Sequence, residues 1–129
     1  MSKRILLIFA FIVVFLAGVL IASIFHAGSP MVVIDFVNNS GKKIESIEII
    51  QKFGRDEKIR HQIQGPTAGT SKTFRMSAPA ESSYGLIVNF ADGSRIAGGE
   101  GYMEAGNKVT EVIGTTKIES RHNIGGYKP

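Results

Sequence analysis

With 129 residues, the chain has room for one compact domain once its apolar N-terminal segment is set aside. Its 15 Lys and Arg against 11 Asp and Glu give a net charge of +4, and because Lys3 and Arg4 precede the apolar segment, the rest of the chain is near balance. This excludes the concentrated basic stripe typical of nucleic-acid binding, and the absence of cysteine excludes disulfides, thiolate metal sites and a cysteine nucleophile.

The first predicted element is a transmembrane helix over residues 5–25, which contain no charged side chain. At 1.5 Å per residue, a helix of this length spans about 30 Å, the thickness of a hydrocarbon core. A cleavable signal peptide is the alternative, but such peptides have a shorter apolar stretch followed by small residues at the cleavage site, and residues 20–28 fit that pattern poorly. We therefore predict an uncleaved anchor.

The orientation of this anchor follows from its flanking charges. Lys3 and Arg4 precede it, while residues 26–34 carry no Lys or Arg, so the positive-inside rule keeps a stub of residues 1–4 in the cytoplasm. An exported domain without cysteine is more typical of the bacterial envelope than of eukaryotic secretion. The predicted location is thus the bacterial inner membrane, with the C-terminal domain in the periplasm. Gly18 and Ala22 could bring two helices together, but such residues are common in membrane helices, so a homo-oligomer is left open without support.

Seven runs of β-forming residues follow a linker over residues 26–31 and define a predicted domain over residues 32–114. The first three runs predict a meander, Asp92 and Gly93 a hairpin turn, and the glycines within residues 98–101 a bulge or a split strand. Residues 115–129 are polar without a clear period and predict a flexible tail. The runs cover residues 32–37, 44–53, 58–64, 71–76, 84–90, 95–104 and 108–113.

Short strands with frequent turn signals and no helical period predict an all-β domain, namely a small immunoglobulin-like β-sandwich of about seven strands. A small barrel is the alternative. The Cys and Trp of antibody domains are absent from the chain, so the prediction concerns architecture and names no family.

Catalytic and metal-binding patterns find little support. His26, His61 and His122 share no metal-ligand spacing, and His61 alternates in phase with two isoleucines, which favours a partly buried position. No serine lies in a nucleophile elbow, and the Gly-rich residues 98–102 lack the Lys and Ser or Thr of a phosphate loop. We predict no cofactor, no metal and no enzymatic activity, with an unrecognised hydrolase as an alternative.

Two features could form a binding surface: a basic patch on the second and third strands and their joining turn, and the loops around residues 78–84 and 98–102. Lysines that protect an exposed sheet edge would explain the basic patch equally well. The candidate partner-binding residues on these features are Lys52, Arg55, Lys58, Arg60, Glu81, Tyr84, Glu100 and Tyr102.

These observations predict a non-enzymatic module, held at the inner membrane, whose exported domain binds a protein of the cell envelope. One concrete form is an immunity or inhibitor protein against a toxin or hydrolase that acts in the periplasm, and another is an accessory subunit of an envelope or secretion complex. A cleaved, secreted ligand-binding domain is a further alternative.

Overall fold

The computed structural model describes residues 3–24, 31–55, 57–78 and 81–123, without the side chains of Glu57, Glu100 and Asn123. An apolar helix is followed by two four-stranded sheets that share one core. The elements are α1 Lys3–Ile24, β1 Met31–Asn38, β2 Ile44–Phe53, β3 Glu57–Gln64, β4 Ser71–Ser77, β5 Ser82–Phe90, β6 Arg95–Met103, β7 Lys108–Ile113 and β8 Ile118–Asn123.

The helix α1 contains 22 residues, none of them buried against the rest of the protein. It is long and apolar enough to cross a membrane, which confirms the predicted apolar helix. The predicted last anchor residue Phe25, most of the 26–31 linker and the first two residues of the cytoplasmic stub lie outside the described residues.

The two sheets have the strand orders β4-β1-β7-β8 and β3-β2-β5-β6. β1 and β7 are parallel, and the other neighbouring strands are antiparallel. The predicted meander is therefore wrong at its first step, because β1 lies in a different sheet from β2 and β3. The connection between β1 and β2 passes from one sheet to the other, and the side-chain amide of Asn38 donates there to the carbonyls of Lys42 and Pro66, at 2.9 and 3.0 Å.

The connectivity differs from that of an immunoglobulin domain, in which the second and third strands belong to different sheets. Here β2 and β3 are hydrogen-bonded neighbours from the Ser46–Gln64 pair to the Phe53–Glu57 pair. A mostly β domain of two sheets behind one apolar helix is confirmed, whereas the immunoglobulin-like character is not.

The core lies between the sheets, and inward residues alternate with outward residues along the strands. β1 points Val32, Ile34 and Phe36 inward, and every second residue of β5 from Ser82 to Phe90 is buried. The sheet edges also approach each other, since β6 contacts β8 and the Lys72 ammonium of β4 donates to the Gln64 carbonyl of β3 at 2.9 Å.

The predicted flexible tail over residues 115–129 is wrong over β8, which pairs antiparallel with β7. The domain therefore extends to Asn123 and has eight strands, while residues 124–129 lie outside the described residues. The polarity that concealed this strand has a structural cause: Ser120 points toward the core and donates to the carboxylate of Glu111.

The predicted irregularity in β6 is a β-bulge. Tyr84 is opposite Gly101 and Leu86 is opposite Gly98, so β6 places one extra residue against β5. Gly99 lies in the bulge with φ of 63°, a conformation that favours glycine. The predicted hairpin turn is also present, with the amide of Gly93 donating to the Phe90 carbonyl at 3.0 Å.

Candidate functional site

The outward side of the β3-β2-β5-β6 sheet, hereafter the outer face, brings several predicted residues together. Lys52 is opposite both Lys58 on β3 and Ser83 on β5, and Ser83 is opposite Tyr102 on β6. These four side chains form one row across all four strands, although they are separated by up to 50 positions in sequence. Both lysines and Tyr102 are exposed, and Tyr102 keeps 51% of its surface accessible.

The next row of the outer face has an apolar centre. Ile50 is opposite Arg60 on β3 and Gly85 on β5. A Cβ atom added at Gly85 would meet nothing within 4 Å, so the sheet has a recess there. Ile50 and the nearby Ile87 are half-buried on this outward side. The face therefore combines charged ends with an apolar, recessed middle.

The β2–β3 half of the face, hereafter the basic side, carries the cationic side chains. Lys52 and Lys58 are direct cross-strand neighbours, an arrangement that destabilises a strand pair because the charges repel. Arg55 lies exposed in the turn between the strands. The guanidinium of Arg60 is 3.7 Å from the Glu48 carboxylate and its side chain stays 70% exposed, so most of this positive charge faces solvent.

The β6 half of the face, hereafter the acidic side, has carboxylates around Tyr102. The Tyr102 hydroxyl donates to Glu104 at 2.8 Å. This hydrogen bond is the main cause that raises the pKa of Tyr102 to about 12, with a further contribution from Glu81. Lys52, Glu81 and Tyr102 line a shallow depression of about 210 Å³ between the two sides. Glu104 is absent from the predicted binding residues because the predicted recognition segment, residues 98–102, ends before it.

Tyr84 does not belong to the outer face. Its side chain is 1% exposed and points into the core, where its hydroxyl donates to the Glu111 carboxylate. Burial and the neighbouring Glu111 carboxylate raise the pKa of Tyr84 above its ordinary value. A residue enclosed in this way cannot contact a partner directly. The side chain of Glu100, another predicted residue, lies outside the described residues.

A buried polar cluster accompanies Tyr84. Glu111 is 0% exposed, and the Ser120 hydroxyl lies 2.8 Å from its second carboxylate oxygen. Sequence reasoning overlooked Glu111, although its alternation with Val109 and Ile113 on β7 was a signal that it faces inward. Because Glu111 is fully enclosed, its carboxylate is out of reach of a substrate in this structure.

His61 occupies a half-buried position, as predicted. Its ring packs on Phe74 with 5.5 Å between centroids, and its Nε2 lies 3.4 Å from the Gln51 side-chain oxygen. Over the parts of the chain that the structure describes, no three His, Asp or Glu side chains are grouped so as to hold a metal ion.

A second depression, of about 710 Å³, lies at the far end of the same sheet and contains none of the predicted residues. Its side chains are mostly polar and partly bonded to one another, as when the Asn89 amide donates to the Ser46 hydroxyl at 3.1 Å. The depression is lined by Glu45, Ser46, Gln62, Ile63, Gln64, Asn89, Phe90, Gly93 and Ser94.

Comparison of the chain with known protein families, with curated proteins and with solved structures found no match.

Proposed function

We propose that the protein is a non-enzymatic interaction module, anchored in the bacterial inner membrane, whose exported β domain binds a protein of the cell envelope through the outer face. The observation that carries this proposal is the row of Lys58, Lys52, Ser83 and Tyr102. It joins a basic side, an acidic side and an apolar middle on one sheet, a combination that fits a protein surface better than a uniformly charged polymer.

The anchor supports the proposal through the reach of the chain. Residues 25–30 separate α1 from β1, and seven backbone steps span at most about 25 Å. The Met31 carbonyl accepts a hydrogen bond from the Gly106 amide at 2.8 Å, and Met31 pairs with Ser77. The strand ends that carry Lys52 and Tyr102 lie at this same end of the domain, so the charged row belongs to the part of the domain nearest the anchor.

Two biological forms are compatible with such a module: an immunity or inhibitor protein against a periplasm-acting toxin or hydrolase, and an accessory subunit of an envelope or secretion complex. Each requires only an anchor and one complementary surface. The immunoglobulin-like character is likewise proposed for the two-sheet sandwich architecture and not for the strand connectivity, since sandwiches of that kind present loops and sheet faces to partners.

The test is capture of crosslinked envelope proteins with the full, membrane-embedded chain. The test variant replaces Lys52, Lys58 and Arg60 with Glu, and the control makes the same number of reversals at exposed positions away from the outer face, namely Lys43, Arg75 and Lys117. We expect the same envelope protein to be captured by the unaltered chain and the control and lost from the test variant. A partner that survives the test reversal, or no partner in any sample, would overturn the proposal.

A further inference from the structure

We infer that the outer face is covered by the outer face of a second copy of this chain, in a dimer whose two-fold axis runs along the membrane normal. The inference rests on the proposed function, because it uses the same face and the same anchor, and it names the protein that occupies the face.

The anchor restricts the symmetry of such a dimer. Two copies inserted in the same direction can be related by a two-fold axis only if that axis is parallel to the membrane normal. With the strands running along this axis, rotation by 180° reverses the strand order across the contact. β3 of one copy then faces β6 of the other, and β2 faces β5, so that each row of the outer face meets itself in reverse.

The charges of the outer face suit this arrangement. Lys58 on the basic side comes opposite Tyr102 and Glu104 on the acidic side of the second copy, and symmetry makes the same contact twice. Within one chain, Lys58 lies directly across from Lys52, so the second copy's carboxylates would relieve a repulsion that the isolated sheet retains.

The surface shape of the outer face also suits this arrangement. The same rotation places Ile50 of one copy opposite Gly85 of the other, because these residues share a row on β2 and β5. Gly85 has open space above it, and Ile50 is a half-buried apolar side chain that projects from the same face. The side chain of one copy can therefore enter the recess of the other and become buried there.

The size of the face explains why the anchor matters. Four strands at a spacing of about 4.8 Å and seven residues at about 3.4 Å give roughly 450 Å² per copy. Stable complexes of soluble proteins bury about 800 Å² per partner. Confinement of both copies to one bilayer raises their effective concentration, so the contact is expected to form between anchored chains and to be weak between detached domains.

The test measures energy transfer between full chains in liposomes of neutral lipid at a low protein-to-lipid ratio. The chain has no cysteine, so Thr116→Cys at an exposed position in the β7–β8 turn provides a single site for a donor or an acceptor dye. On this labelled background, Lys58→Glu and Glu104→Lys are made singly and together. Lys117→Glu, a reversal at another exposed position, is the control.

We expect transfer above random proximity for the unaltered face and the control. Each single reversal should lower the dimer population by about three- to tenfold, because it places like charges together twice, and the double reversal should restore it. Circular dichroism of each variant checks that the fold is kept. Energy transfer at the random level in the unaltered chain overturns the inference. Transfer that the charge reversals leave unchanged also overturns it, because that result indicates pairing through the helices.

The two proposals fail in different ways. If the reversal of Lys52, Lys58 and Arg60 abolishes capture of an envelope protein while energy transfer stays random, the inference fails and the proposed function stands. If transfer follows the charge reversals while no other envelope protein is captured, the dimer stands, and the envelope protein that binds the outer face is a second copy of this chain.

Discussion

A glutamate in the middle of β7 lies in the core of the domain. Glu111 is fully buried, and its carboxylate accepts hydrogen bonds from Tyr84 on β5 and Ser120 on β8. A carboxyl group removed from water is destabilising unless hydrogen bonds replace its hydration. Tyr84 belongs to one sheet and Glu111 to the other, so their hydrogen bond crosses the core and favours one arrangement of the two sheets.

Replacing Tyr84 with Phe should therefore lower the stability of the domain. The ring is kept, but Glu111 loses a donor in the core, and the expected decrease in the free energy of unfolding is about 1–3 kcal/mol. Tyr102→Phe is the matched control, because it removes the same hydroxyl from an exposed ring, and its effect should stay within about 0.5 kcal/mol. Urea unfolding of the full chain in mild detergent, followed by circular dichroism, measures both. Equal effects of the two substitutions would contradict the role of the buried hydrogen bond.

The sequence predicts well which way side chains point where the inward residues of a strand are apolar. It predicts this poorly where a polar residue also points inward. Alternation on β5 correctly points Leu86, Val88 and Phe90 inward. Tyr84 is predicted both to begin a strand and to end a recognition loop, whereas β5 begins at Ser82 and places Tyr84 in phase with Leu86 inside the core. The Tyr84 hydroxyl donates inside the core to Glu111, a partner 27 positions away that local patterns do not reveal.

At the scale of elements, the bulge in β6 makes room for the buried cluster. An added Cβ at Gly99 would lie 2.5 Å from Leu86 Cδ1 and 3.3 Å from a Glu111 carboxylate oxygen. An added Cβ at Gly101 would lie 2.8 Å from the Tyr84 ring. The glycines thus let the β6 backbone approach side chains that a regular strand of larger residues would displace.

Gly99→Ala should accordingly be more destabilising than Gly41→Ala. Both glycines have positive φ, 63° and 69°, so both substitutions introduce similar backbone strain, worth about 1 kcal/mol. Only the substitution at Gly99 adds a steric clash in the core, because nothing lies within 4 Å of a Cβ at Gly41. The free energy of unfolding should therefore fall by about 3 kcal/mol in Gly99→Ala. Thermal unfolding of the two variants side by side checks this. A Gly41→Ala variant as unstable as Gly99→Ala would show that packing at the bulge is unimportant.

The presence of the helix and the strands was more predictable from the sequence than the pairing of the strands. The helix and seven of the strands follow from composition and period, whereas β8 was missed because its inward residues include Ser120 beside apolar Ile118. The parallel pairing of β1 with β7 joins segments about 75 positions apart, such as Val33 with Lys108. No turn signal encodes such a pairing. For the same reason, the row from Lys58 to Tyr102 could be assembled only after the sheet order was known.

At the scale of the whole molecule, the chain that follows α1 enters the domain at the end that carries the charged row. The chain from Ile24 to Met31 is too short to carry the domain more than about 25 Å from the end of α1. If α1 crosses the membrane and is retained, a partner that binds the outer face must act close to the bilayer, so the membrane topology of α1 is the property to measure.

The topology can be measured directly because the chain contains no cysteine. We expect a single Thr116→Cys to react with a membrane-impermeant maleimide in intact spheroplasts, since the positive-inside rule predicts that the β domain lies outside the cytoplasm. Ser2→Cys should react only after the membrane is opened. Mass spectrometry of the labelled protein should show the intact N-terminus, because an uncleaved anchor keeps residues 1–25. Labelling in the reverse order would invert the orientation, and loss of the first 25 or so residues would replace the anchor with a signal peptide and release the domain from the membrane.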